Sequence, residues 1–177
     1  GVISLLWITL GFTLAFGTSM GGFIGGLNYL GLSGVGDAPN PDYAPGIPFL
    51  AFAAYQMMFA IITPALFTGA FVERIRFRTF LVFAVLWSLL VYSPVAHWVW
   101  GLNGFLRTLG ALDFAGGTVV HVTAGFTALA LALAIGPRRW FGRAPMAPHN
   151  IPFTILGAGL PWVGWFGLNG GSALAAN

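Results

Sequence analysis

FLVFAVLWSLLVYSPVAHWVW, residues 80–100, is twenty-one residues long and holds no Asp, Glu, Lys or Arg. A hydrocarbon core about 30 Å thick is crossed by roughly 20 apolar residues of α-helix. A helix also satisfies every backbone N–H and C=O of such a run internally, which lipid demands because it offers no hydrogen bonds. The stretch therefore predicts a membrane-spanning helix.

On its N-terminal side Glu73, Arg74, Arg76 and Arg78 close a second apolar run, Ile47 to Phe71. On its C-terminal side a short loop with Arg107 and Asp113 leads to a run from Gly116 to Ile135, ended by Pro137, Arg138 and Arg139. Two further runs, Val2 to Phe16 and Ile151 to Leu168, complete a set of about five. The predicted class is an all-α polytopic membrane protein, with spans near 2–16, 47–71, 80–100, 116–135 and 151–168 in one domain.

The whole composition agrees: 58% hydrophobic residues and 6% charged, with mean hydropathy +0.87. An ordinary soluble domain is about a quarter charged. Seven arginines against four acids give a net charge of +3, but they sit in clusters rather than in a stripe suited to phosphates, so nucleic acid is not the expected partner. Cysteine is absent, which leaves no disulfide framework and no thiolate nucleophile or Cys-based metal site in the segment. The chain opens on Gly1 inside an apolar run, without Met or a basic leader, and stops at Asn177 just after another run. Both ends read as cuts.

Short cytoplasmic loops are enriched in Lys and Arg. Three arginines lie in loop 72–79 and three in loop 136–150, which fall on one side if each span crosses once; these are the expected cytoplasmic loops. Loops 17–46 and 101–115, and the end at Asn177, are then extracytoplasmic. Trp98, Trp100, Trp162 and Trp165 suggest an interfacial aromatic belt. The small residues Gly116, Gly117, Ala124, Gly125 and Ala128 suit a helix packed closely among neighbours.

Among the polar residues, Asp113 stands about where a helix N-cap belongs, and a carboxylate there is favoured by the backbone donors and the helix dipole. Its charge also suits biasing cation entry at an outer vestibule; the two roles are compatible. His121 is eight residues farther on, about 12 Å deeper at 1.5 Å per residue. A titratable group at that depth either faces a pathway or is satisfied by a neighbouring helix. His97 and His149, at the ends of spans, read as interfacial or capping residues, while Gln56 and Ser172 either bond an adjacent helix or face a pore. No catalytic constellation, metal cluster or phosphate-binding loop stands out, and neither an enzyme nor a cofactor is expected.

The run Asp113-Phe-Ala-Gly-Gly-Thr-Val-Val-His121, continuing to Gly136-Pro-Arg138-Arg139, resembles the signature of the ammonium transporter family, Amt/Mep/Rh. The stretches from Gly69 to Phe77, from His149 to Pro152 and from Gly164 to Ala173 resemble it too. The resemblance implies an eleven-helix fold of two inverted repeats, of which this chain carries most of the first, in a homotrimer with one pore per subunit. It implies ammonium or ammonia as substrate, the cell membrane as location, and a PII-type regulatory protein as a cytoplasmic partner.

Matched residue by residue, Trp100 and Ser172 resemble the vestibule pair that recruits ammonium, and Phe59 one of two stacked gate phenylalanines. The second gate position falls on Leu168, a departure from the family. His121 resembles the first of a pore histidine pair whose partner lies on a later helix. The implied mechanism captures ammonium, deprotonates it and passes ammonia past the histidines. An ammonium sensor and an Rh-like neutral-gas channel are the alternatives; Trp100 and Ser172 favour the Amt-like branch. The isolated segment is expected to be inactive, since half a pore turns polar groups toward lipid.

Overall fold

The computed structural model describes residues 1–173 and is mainly helical, with two short hairpins and connecting loops; the predicted outer placement of Asn177 lies outside the described residues. Helix α1 is Val2–Phe16, α2 Phe49–Leu66, α3 Phe77–Trp87, α4 Ser93–Trp100, α5 Phe105–Thr108, α6 Thr123–Ile135 and α7 Ile151–Ala173. Four segments are long and apolar enough to cross a bilayer by length and composition: Phe49–Ala70, Phe77–Thr108, Gly117–Ile135 and Ile151–Ala173. Helix α1 is shorter, so the expected five appear as four full-length spans and one short one among the described residues.

Several boundaries differ from the sequence reading. Ile47 lies in a strand, because Pro45 and Pro48 hold the backbone extended, and α2 begins only at Phe49. The last helix runs on past Leu168 to Ala173. Loop 17–46 contains two antiparallel hairpins: β1 Ser19–Met20 with β2 Ile24–Gly25, and β3 Pro39–Asn40 with β4 Ala44–Pro48.

Three helices contain a π turn, at Trp7–Gly11, Ser88–Tyr92 and Gly117–Val122. The cause is visible at the second. Pro94 has no N–H for the carbonyl of Leu90 and its ring crowds it. The Ser93 N–H reaches back five residues to Ser88 O, and the Ser93 hydroxyl donates to the same oxygen at 3.0 Å. Thr123 repeats this on Thr118 O at 2.9 Å.

The core lies between α1, α2 and the α3–α4 segment. Trp7, Phe12, Phe16, Phe49 and Tyr92 are buried there in mostly edge-to-face pairs 5.3–6.2 Å apart, the geometry that the ring quadrupole favours. Indole N–H groups tie helices across it: Trp7 Nε1 donates to Ala53 O at 3.1 Å, and Trp87 Nε1 to Thr127 Oγ1 at 3.0 Å.

The loops sort into two faces. Arg138 pairs with Glu73 at 3.2 Å, and Arg74 donates to the carbonyls of Gly136 and Ala70, so loops 72–79 and 136–150 meet. At the other end Phe105 N donates to Gly22 O at 3.0 Å and Leu102 N to the Tyr43 hydroxyl at 2.8 Å, joining loops 17–46 and 101–115.

His97 corrects the sequence reading. It is fully buried, Nδ1 2.9 Å from Ala15 O and Nε2 2.9 Å from Ser19 Oγ. The β1–β2 hairpin folds over the end of α4 and removes the hydration that a position at the end of an apolar run suggested. His149 is exposed, and the first turn of α7 is capped by its neighbour: Phe153 N donates to Asn150 Oδ1 at 2.9 Å.

Candidate functional site

A cavity of about 710 Å³ opens beside loops 17–46 and 101–115. Its wall includes Phe59, Gln56 and Tyr55 from α2, Trp100 from the end of α4, Asp113 from the following loop and Ser172 from α7.

Asp113 organises this corner. Its carboxylate accepts four backbone N–H groups: Oδ1 from Gly116 at 2.6 Å and Gly117 at 2.8 Å, Oδ2 from Thr118 at 2.7 Å and Val119 at 3.1 Å. These are the donors that an emerging helix leaves without partners, and the negative charge suits the positive end of the helix dipole. Asp113 does this from three residues before Gly116 rather than from the N-cap position itself. The loop turns because Gly116 adopts φ +88°, a conformation open to glycine.

The carbonyl of Asp113 has a separate task. It accepts the Trp100 indole N–H at 2.8 Å, which fixes the ring against the cavity wall. Phe59, buried, meets that ring edge to face at 5.4 Å and 69°. Tyr55 meets Phe59 in turn at 5.1 Å and 84°, and its hydroxyl lies 3.0 Å from Ser172 Oγ. Gln56 Oε1 is a buried acceptor without a protein partner, and an unmet acceptor beside a cavity is suited to an N–H donor from a ligand.

Charges stand at the rim. Asp42 and Arg107 both line the opening, and Arg107 donates to Trp100 O at 2.6 Å. Tyr43, which also lines the opening, has its phenol pushed up by burial, opposed by the Leu102 N–H and by Arg107. It stays a neutral hydroxyl throughout the physiological range, since the ordinary tyrosine value is already near 10.

The structure therefore gathers Trp100, Phe59, Gln56, Asp113 and Ser172 around one space. His121 and Leu168 lie outside it. His121 sits in the π turn on the exposed side of its helix, its ring 6.1 Å from Trp165 with the planes at 22°. Leu168 is half-buried against the core. Trp98 donates to Phe23 O at 2.8 Å, and Trp162 and Trp165 are exposed along α7. Sequence reasoning missed Tyr55, Tyr43 and Arg107; for Tyr55 the available signal was its place one helical turn before Phe59.

The profile of the Ammonium Transporter Family matches residues 1–177, the entire chain. The chain belongs to the ammonium transporter family. Relatives within the family include the ammonium transporter of Bacillus subtilis, 51% identical over 98% of this chain and 42% of that protein. The crystal structure of Saccharomyces cerevisiae Mep2 superposes with a TM-score of 0.88 at 41% identity, covering 99% of this chain and 40% of Mep2. A structure described as a Sensor Amt Protein gives 0.85 at 33% identity, over 99% of this chain and 44% of that one. The chain thus spans about two fifths of the length of these ammonium transporter family members. Family membership, with four segments long and apolar enough to cross a bilayer among the described residues, makes it part of a multi-pass membrane protein.

Proposed function

We propose that this chain forms the outer vestibule and first pore-lining helices of an ammonium conduction path, completed by further helices of a longer polypeptide. The observation that carries the reading is the cavity in which an indole, a buried phenylalanine and a serine hydroxyl converge beside the outer loops. Aromatic faces attract a cation, worth about 0.5–2 kcal/mol each as water is stripped away. Ser172 and Gln56 Oε1 supply acceptors for its N–H groups.

An ion is expensive in a narrow apolar pore, so ammonium is captured outside, loses a proton and continues as ammonia past His121. A neutral imidazole both donates and accepts a hydrogen bond and so relays the proton. Potassium has no proton to give up and is excluded on that ground. Phe59 forms one half of the gate, and Leu168 makes the other half less attractive to cations than an aromatic ring. The complete protein is proposed to be a homotrimer in the cell membrane, with loops 72–79 and 136–150 facing the cytoplasm and offered to a PII-type regulator.

One observation favours a second reading: the likeness to a Sensor Amt Protein at a TM-score of 0.85. In a sensor the same vestibule reports occupancy without flux. Expressed in cells lacking their own ammonium transporters, the complete gene product should restore growth on low ammonium, and Trp100→Leu should lower methylammonium uptake at least severalfold. Absence of uptake from correctly inserted protein would move the assignment to the sensor.

A further inference from the structure

We infer that Tyr55 is a positioning residue: its hydroxyl oxygen accepts the hydrogen bond of the Ser172 O–H and so turns the serine lone pairs toward the bound cation. The inference rests on the ammonium reading above and deepens it. Tyr55 Oη and Ser172 Oγ are 3.0 Å apart, although the residues are separated by 117 positions and belong to α2 and α7. Both border the cavity that Trp100 lines. The tyrosine ring stands edge to face on Phe59, which stands on Trp100, so the place of the hydroxyl is set by a stack of rings that also walls the cavity.

Ammonium carries four N–H donors and no lone pair, so it binds through acceptors. A serine hydroxyl offers two lone pairs but also one proton, free to rotate toward the cation and repel it. Other hydroxyls in the chain avoid this by donating to the carbonyl four residues earlier, as Thr63, Thr127 and Thr154 do. Ser172 pairs with Tyr55 instead. With the tyrosine oxygen as acceptor, the serine proton points away from the ion and both serine lone pairs are left for N–H groups. Phenylalanine at this position would wall the cavity equally well and leave the serine proton without that acceptor.

The test is a double-mutant cycle in the complete gene product, with ammonium uptake kinetics for the parent, Tyr55→Phe, Ser172→Ala and the double variant. Tyr55 is 36% exposed, so removing its hydroxyl leaves the core packing in place. The expected result is a rise in KM of about three- to tenfold for Tyr55→Phe with maximal rate retained, the loss of one modest hydrogen bond. In the Ser172→Ala background the tyrosine change should add nothing. A KM unchanged by Tyr55→Phe, or tyrosine and serine effects that multiply independently, overturns the inference and leaves the contact as a tie between two helices. If Ser172→Ala itself has no effect on KM, or the parent takes up no ammonium, the vestibule reading falls and this inference with it.

Discussion

The Asp113 carboxylate holds four backbone donors while its carbonyl holds Trp100, so one residue starts a helix and fixes the indole that lines the cavity. Asp113→Ala should lower unfolding stability by about 2–4 kcal/mol, because it orphans N–H groups that were bonded to a charge. The check is the thermal transition of the purified protein, and a variant as stable as the parent would refute the capping role. Its position near the start of a helix was legible in the sequence, since a carboxylate before a Gly-rich turn and an apolar run has few other partners. Its bond to Trp100 was not, because nothing local says which carbonyl an indole thirteen residues back will find. His97 was misread for a similar reason: Ala15 and Ser19, which satisfy it, are about 80 positions away. Tyr55 was passed over because its partner lies on the last helix.

At the scale of elements, the spans were legible because a bilayer imposes length and excludes charge, whatever the neighbours are. The π turns were not, since apolar periodicity cannot tell a reach of four residues from one of five. Two of them depend on single residues, Pro94 with the Ser93 hydroxyl and the Thr123 hydroxyl. The turn carrying His121 begins at Gly116, where a Cβ would lie 2.6 Å from Val120 Cγ2 in addition to the positive φ. Gly116→Ala should therefore cost about 2 kcal/mol or more, from left-handed backbone strain together with overpacking. Unchanged thermal stability would show that the turn relaxes at no cost.

For the molecule as a whole, arginine placement predicted that loops 72–79 and 136–150 share a side, and the Glu73–Arg138 pair and the Arg74 contacts bring them together. The hydrogen bonds joining loops 17–46 and 101–115 close the opposite face, beside the cavity. The segment has no cysteine, which makes orientation open to single-site labelling. Ser33→Cys should react with an impermeant thiol reagent from outside intact cells and Arg143→Cys only after permeabilisation; the reverse pattern would invert the topology. The central claim, that this vestibule and His121 lie on an ammonium path, is tested most directly by ammonium influx into proteoliposomes holding the complete protein. We predict saturable influx that excess potassium leaves unchanged and that both Trp100→Leu and His121→Ala alter. Influx unaffected by either substitution in folded protein, or carried equally by potassium, would contradict it.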